Sequence, residues 1–148
     1  MSRINYYTVA KEGIHEMIAM ENYLKTTDID PILGDLVRLR ASLINGCAYC
    51  VKLHSTDLQK QGVNFERIMG VSVWKDSDFY TEKEKAAFEL TEYVTKISEK
   101  GVPEEVYQRV RQHFSEKEYV DLVLSINSIN TWNRLSISMG NQATSSKK

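Results

Sequence analysis

The stretch Asn45-Gly46-Cys47-Ala48-Tyr49-Cys50-Val51-Lys52-Leu53-His54 holds both cysteines of the chain and one of its three histidines. An Asn-Gly pair usually interrupts a helix. The segment therefore reads as a junction, with one helix ending at Asn45 and a central helix starting at about Cys47. In that second helix Cys47, Cys50 and His54 share one face, because positions i, i+3 and i+7 stack. Two thiols and an imidazole on one face form a redox centre, a metal site or a coincidence of packing.

Helical periodicity extends to both sides of this junction. Upstream, Pro31 suits the first turn of a helix running to Asn45, with Leu33, Leu36, Val37, Leu39, Leu43 and Ile44 apolar. Before it, Ile14, Met17, Ile18, Met20 and Leu24 recur at roughly helical spacing between Val9 and Lys25. Downstream, the cysteine helix ends near Gly62. A short turn is expected from Asn64 to Met69, and a connecting loop carrying Trp74 from Gly70 to Tyr80. Thr81-Glu82-Lys83-Glu84 is a capping box opening a helix that buries Ala87, Leu90, Val94 and Ile97 and stops at Gly101. Pro103 starts a short helix to about Phe114. Ser115-Glu116-Lys117-Glu118 opens a last one to about Met139, with Leu122, Val123, Ile126, Ile129 and Trp132 as its apolar stripe. No alternating strand pattern appears. The expected architecture is an all-α bundle of six or seven helices.

Composition narrows the function classes. The 148 residues fit one domain, 1–148, with a frayed tail from about residue 141. A domain of this length can bury roughly 70% of its unfolded surface, so it needs neither disulfide nor metal to fold. The 19 basic and 20 acidic residues leave a net charge of −1, with no basic stripe for nucleic acid. No apolar run approaches the roughly 20 residues of a membrane span, and the N-terminus has no signal-peptide core. The expected location is cytoplasmic, where a CxxC pair is more often catalytic or metal-binding than structural.

The cysteine segment itself favours redox chemistry. Free backbone N–H groups and the positive end of the dipole at a helix start stabilise a thiolate. Lowering a thiol pKa from about 8.5 to about 6.5 raises the thiolate fraction roughly 25-fold at pH 7. About 8-fold is lost again to weaker nucleophilicity. A peroxidase built on this pair must gain most of its rate by placing the peroxide and protonating the leaving oxygen, and His54 is placed for that proton transfer. The competing readings are weaker. Structural zinc needs four ligands, and Cys47, Cys50 and His54 are three. Haem attachment wants histidine directly after the second cysteine, where Val51 stands. A thioredoxin-type site wants a preceding strand. Two buried small hydrophobes remain as the bland alternative.

The run Leu36-Val37-Arg38-Leu39-Arg40-Ala41-Ser42-Leu43-Ile44-Asn45-Gly46-Cys47-Ala48-Tyr49-Cys50, with His54, resembles the alkylhydroperoxidase AhpD-like core of the carboxymuconolactone decarboxylase family. Phe79 to Val94 resembles the helix after that family's active site. Asn130-Thr131-Trp132-Asn133-Arg134-Leu135 is similar to its Asn-x-Trp-Asn-Arg segment. The resemblance implies an all-α fold, assembly as a dimer, trimer or hexamer, no cofactor, and a thiol peroxidase mechanism. Cys50 would attack a hydroperoxide and become a sulfenic acid, Cys47 would close a disulfide with it, and His54 would relay the proton. A dithiol reductant, protein or small thiol, would reopen the short bridge. The family's relay carboxylate, usually Glu, falls at Asp35, which keeps the charge and loses a methylene. Tyr49 stands where the best-studied peroxidases carry another histidine, and is a candidate substrate contact. Two other functions compete: a lactone decarboxylase or lyase, against which the cysteine pair argues, and a non-enzymatic redox sensor. Trp132, Asn130 and Asn133 are expected to pack and hydrogen-bond near the site or an interface.

Overall fold

A computed structural model describes residues 2–146, so Lys147 and Lys148 of the expected tail lie outside the described residues. Among the described residues there are α-helices and no strands. They are α1 (Tyr6–Val9), α2 (Lys11–Leu24), α3 (Pro31–Asn45), α4 (Ala48–Lys60), α5 (Phe65–Met69), α6 (Glu82–Thr95), α7 (Ile97–Lys100), α8 (Glu104–Arg111) and α9 (Glu116–Ser138), with a 3-10 segment over Gly70–Asp76. The all-α expectation is met. The helix number exceeds six or seven because α1 and α7, of four residues each, stand apart from their neighbours.

Helix α3 is the axis of the bundle and packs on α4, α6 and α9. Its start is sharply determined. Asp30 accepts from the backbone N–H of Ile32 and Leu33, and Pro31 occupies the first turn. Its two sides feed two core clusters. Leu33 and Val37 pack with Ala87 and Leu90 of α6, Val106 and Val110 of α8, and Leu122 and Ile126 of α9. Leu36 and Leu39 pack with Leu58, Val71, Trp74 and Phe88. A helix apolar on several sides belongs inside a bundle, and burial of each such side chain is worth about 1.5–3 kcal/mol.

Three sequence expectations need correction. The periodic segment between Val9 and Lys25 forms α2 from Lys11 to Leu24, with Val9 ending the separate α1, and Ile18 and Met20 of its apolar set are exposed. The Gly70–Tyr80 connection is not a plain loop. Its 3-10 turn buries Val71 and sets Trp74 against Phe88, at 5.7 Å between ring centroids. Ile97 is not in the core: the chain leaves the helix at Lys96 (φ −106°, ψ 40°), which swings Ile97 outward to 56% exposure. Both capping boxes, at Thr81/Glu84 and Ser115/Glu118, are present. No helix among the described residues is long and apolar enough to cross a membrane.

Candidate active site

The α3–α4 junction is built by backbone and side chains together. Gly46 takes a left-handed conformation (φ 71°, ψ 29°) that costs a glycine little, and its N–H donates to Leu43 O. Cys47 N–H donates to Ser42 O at 3.0 Å, and Cys47 becomes the N-cap of α4. The last turn of α3 is anchored to α9 by amides. Asn45 Nδ2 donates to Asn130 Oδ1 and Asn133 Oδ1, each at 2.9 Å, and Asn133 Nδ2 donates to Ser42 Oγ at 3.0 Å. Asn130 Nδ2 donates to Thr95 Oγ1 and Ile126 O. Asn130 and Asn133 therefore hold the segment that carries the cysteines.

Cys47 and Cys50 are joined as a disulfide and are both buried. Cys50 also lines a cavity of about 220 Å³. Tyr6, Tyr7, Tyr49, Leu53, Ile129 and Trp132 give this cavity an apolar, aromatic wall, and His54 shares its lining with Cys50. Cys47 is not among its lining residues. Tyr49 is half-exposed at its rim. Among the described residues no group of three or more His, Cys, Asp or Glu is placed to hold a metal ion.

Asp35, on α3, faces His54 across the α3–α4 packing. Asp35 Oδ1 lies 3.5 Å from His54 Nδ1. The contact lies outside hydrogen-bond geometry, and His54 Nδ1 is buried with no hydrogen-bond partner. The carboxylate is held elsewhere. Gln61 Nε2 donates to Asp35 Oδ2 at 2.6 Å, and Arg38 Nη1 stands 3.5 Å from Oδ1. Burial works to raise the Asp35 pKa, but contact with His54 and Gln61 and the charge of Arg38 outweigh it, so the carboxyl is held below its ordinary value.

The structure thus brings Cys47, Cys50, His54, Asp35 and Tyr49 to one place, and it adds two residues that sequence reasoning did not single out. Glu21 and Arg38 also line the Cys50 cavity. Arg38 Nη2 lies 3.3 Å from Glu21 Oε2. Glu21 Oε1 accepts from Trp132 Nε1 at 3.2 Å and from Ser128 Oγ. A signal for Glu21 existed. It stands seven, four and three residues from Ile14, Met17 and Leu24, so an acid sits on the apolar face of α2.

The model of the carboxymuconolactone decarboxylase family matches residues 14–93, more than half of the chain. The uncharacterised protein YdfG of Bacillus subtilis is 48% identical over 143 residues, covering 97% of both chains. A crystal structure from Agrobacterium tumefaciens, of a protein of unknown function named as a candidate antioxidant defence protein AhpD, superposes with a TM-score of 0.94 at 37% identity, covering 98% of this chain and 99% of that one. The debrominase Bmp8 shares the fold at a TM-score of 0.77 and 21% identity, over 88% of this chain and 70% of its own. With its CxxC pair at the head of a helix beside the central α3, the chain belongs to the carboxymuconolactone decarboxylase family and has an AhpD-like core.

Proposed function

We propose that this protein is a thiol-dependent peroxidase that reduces organic hydroperoxides through Cys47 and Cys50. The observation that carries the reading is the shared cavity. Cys50 opens onto a small apolar chamber together with His54, and His54 has a carboxylate behind it. The name of the Agrobacterium relative as an antioxidant AhpD candidate supports the same reading.

In the reduced protein His54 takes the Cys50 proton, and the thiolate attacks the terminal oxygen of the hydroperoxide. The O–O bond breaks, its electron pair leaves on the alkoxide, and His54 returns the proton to give the alcohol. Cys50 is then a sulfenic acid. The Cys47 sulfur attacks the Cys50 sulfur, the S–S bond forms, and hydroxide leaves to take up the Cys47 proton as water. Two electrons have passed from the dithiol to the peroxide, and an external dithiol returns them by exchange. The apolar, aromatic side chains of the wall suit the organic group of a hydroperoxide, and Tyr49 at the rim is a substrate contact.

Self-association belongs to this proposal. Phe65, Met69 and Val73 are exposed apolar side chains that a second copy could cover, and light scattering on the purified chain reads the oligomer directly. To test the chemistry, the reduced protein is mixed with a slight excess of cumene hydroperoxide and free thiols are counted. Both thiols should be lost within minutes, and Cys50→Ser should abolish turnover with a dithiol. Persistence of both thiols for hours in folded protein would overturn the reading, and a sulfenate trapped on Cys47 would reverse the two roles.

A further inference from the structure

We propose that Arg38 and Glu21 are positioning residues of the Cys50 site, with Arg38 fixing the carboxylate that backs His54 and Glu21 tying Arg38 to the Trp132 wall of the cavity. The inference rests on the peroxidase reading for its kinetics, while its thiol-reactivity test is independent of it.

Five contacts link the two sides of the site into one chain of side chains. Trp132 and Ser128 of α9 donate to Glu21 of α2. Glu21 pairs with Arg38 of α3. Arg38 approaches Asp35 Oδ1, and the same oxygen faces His54 of α4. The Glu21, Arg38, Asp35 and His54 side chains are between 12% and 24% exposed, so water screens them little. A charge this far from water must be partnered, and removing one partner strands the other.

A purely structural ion pair would not need its position. Glu21, Arg38 and His54 line both the Cys50 cavity and a second, larger cleft of about 550 Å³. They lie where the chamber lined by Cys50 meets the cleft lined by Asp35 and Gln61. In such a place a fixed guanidinium can hold Asp35 toward His54 without entering the cavity as a reactant. Arg38 matters more here because Asp35 makes no hydrogen bond to His54 and needs other hands to orient it. Besides Arg38, Asp35 faces His54 of α4 and Gln61, which caps its end. The same cleft carries Glu21 from α2, Lys25 just beyond its end, and Asp30 at the head of α3. Asp57 and Lys60 enter it from α4, and Asp121 from α9.

The test uses the full chain, reduced, with two readouts across pH 4–9: the stopped-flow rate of disulfide formation with cumene hydroperoxide, and the rate of Cys50 alkylation by iodoacetamide in a Cys47→Ser background. For Arg38→Gln we expect at least a tenfold fall in the peroxide rate at pH 7. We also expect the acid limb of both pH profiles to move upward, because a cation that helps keep Asp35 ionised is gone. Arg38→Lys should recover part of both effects. Glu21→Gln keeps the acceptor for Trp132 and Ser128 and should lower the rate with a smaller movement of the profile. Glu89→Gln, which breaks the exposed pair with Arg109, serves as the control and should change neither profile. An Arg38→Gln protein that melts lower but keeps both wild-type pH profiles has lost only structure, and the inference falls. If wild type is alkylated normally and ignores every peroxide, the peroxidase reading falls, while the alkylation profiles still decide the role of Arg38.

Discussion

Replacing Asp35 with Asn tests the electrostatic core of the proposed mechanism. When His54 takes the Cys50 proton it becomes a cation 3.5 Å from Asp35 Oδ1. Two unit charges at that separation attract by about 5 kcal/mol at an effective dielectric of roughly 20. Residual solvent screening reduces this, and opposite charges in such contacts are observed to contribute about 1.4–4 kcal/mol. If that attraction is present in the transition state and absent before proton transfer, its loss slows sulfenate formation about 10- to 1000-fold. The assay is stopped-flow fluorescence with excess cumene hydroperoxide at pH 7, with circular dichroism to confirm the fold. Asp35→Glu sharpens the result. The gap between 3.5 Å and a charge-assisted hydrogen bond of about 2.8 Å is smaller than the roughly 1.5 Å that one more bond supplies. The Glu variant should match or exceed wild type. A less than threefold effect of Asp35→Asn, or an equal loss in Asp35→Glu, would refute the role of the carboxylate as the partner of His54.

Three further outcomes follow from the same contacts. Asn133→Ala removes two hydrogen bonds from a fully buried position while leaving Asn45 bonded to Asn130, so a loss of about 2–3 kcal/mol is expected. At about 2–4 °C per kcal/mol the melting point should drop roughly 4–12 °C, and a drop below 2 °C would show that the amide cluster does not anchor the α3 end. Glu92 carries burial that raises its pKa, outweighed by Trp74, Lys75 and Arg40, so its carboxyl is held low. Its contribution to stability is complete above the unfolded value of about 4.3 and is lost as pH falls through the lower folded value. Urea midpoints between pH 5 and pH 3 should fall less steeply in Glu92→Gln than in wild type, and parallel slopes would contradict this. Burial of the Tyr80 phenol, with Arg67 opposing and Glu84 assisting, pushes it up to about 12. Its contribution is complete below pH 10 and declines as pH rises toward 12, so absorbance at 295 nm should lose its last, most alkaline tyrosine step in Tyr80→Phe.

The parts of the fold that were legible in the sequence are those decided by local chemistry. Pro31 and Asn45-Gly46 punctuate α3 at both ends, and the structure places its ends at Pro31 and Asn45. The capping boxes at Thr81 and Ser115 were equally local signals. Trp74 was read as a loop residue because Gly70–Asp76 has no period. Its burial depends on Phe88, a residue of α6 that only tertiary packing brings near. Ile97 followed the period of α6 but lies beyond the break at Lys96, which no glycine or proline announces. At the site, the cysteines and His54 share a helix and could be grouped by spacing. Glu21 and Arg38 come together from two helices, and acids and bases on amphipathic helices ordinarily mean a solvated surface.

Asp35 shows why a motif and a working site are different objects. Set against the Glu that the family pattern favours, it is a small change, and the obvious consequence is a shorter reach toward His54. The structure shows where the shorter side chain is anchored instead. Gln61 takes one oxygen at 2.6 Å, and the other faces both Arg38 and His54 at 3.5 Å. A longer acid could bond His54 and hold itself in place by that bond alone. A shorter one relies on neighbours for its orientation, so Gln61 and Arg38 gain influence over a reaction they do not touch. The dependence should be visible as coupling: Gln61→Ala should cost activity in the presence of Asp35 and little once Asp35→Glu has closed the gap. Equal losses in both backgrounds would mean that Gln61 merely caps α4, and that the short carboxylate needs no help to face the histidine.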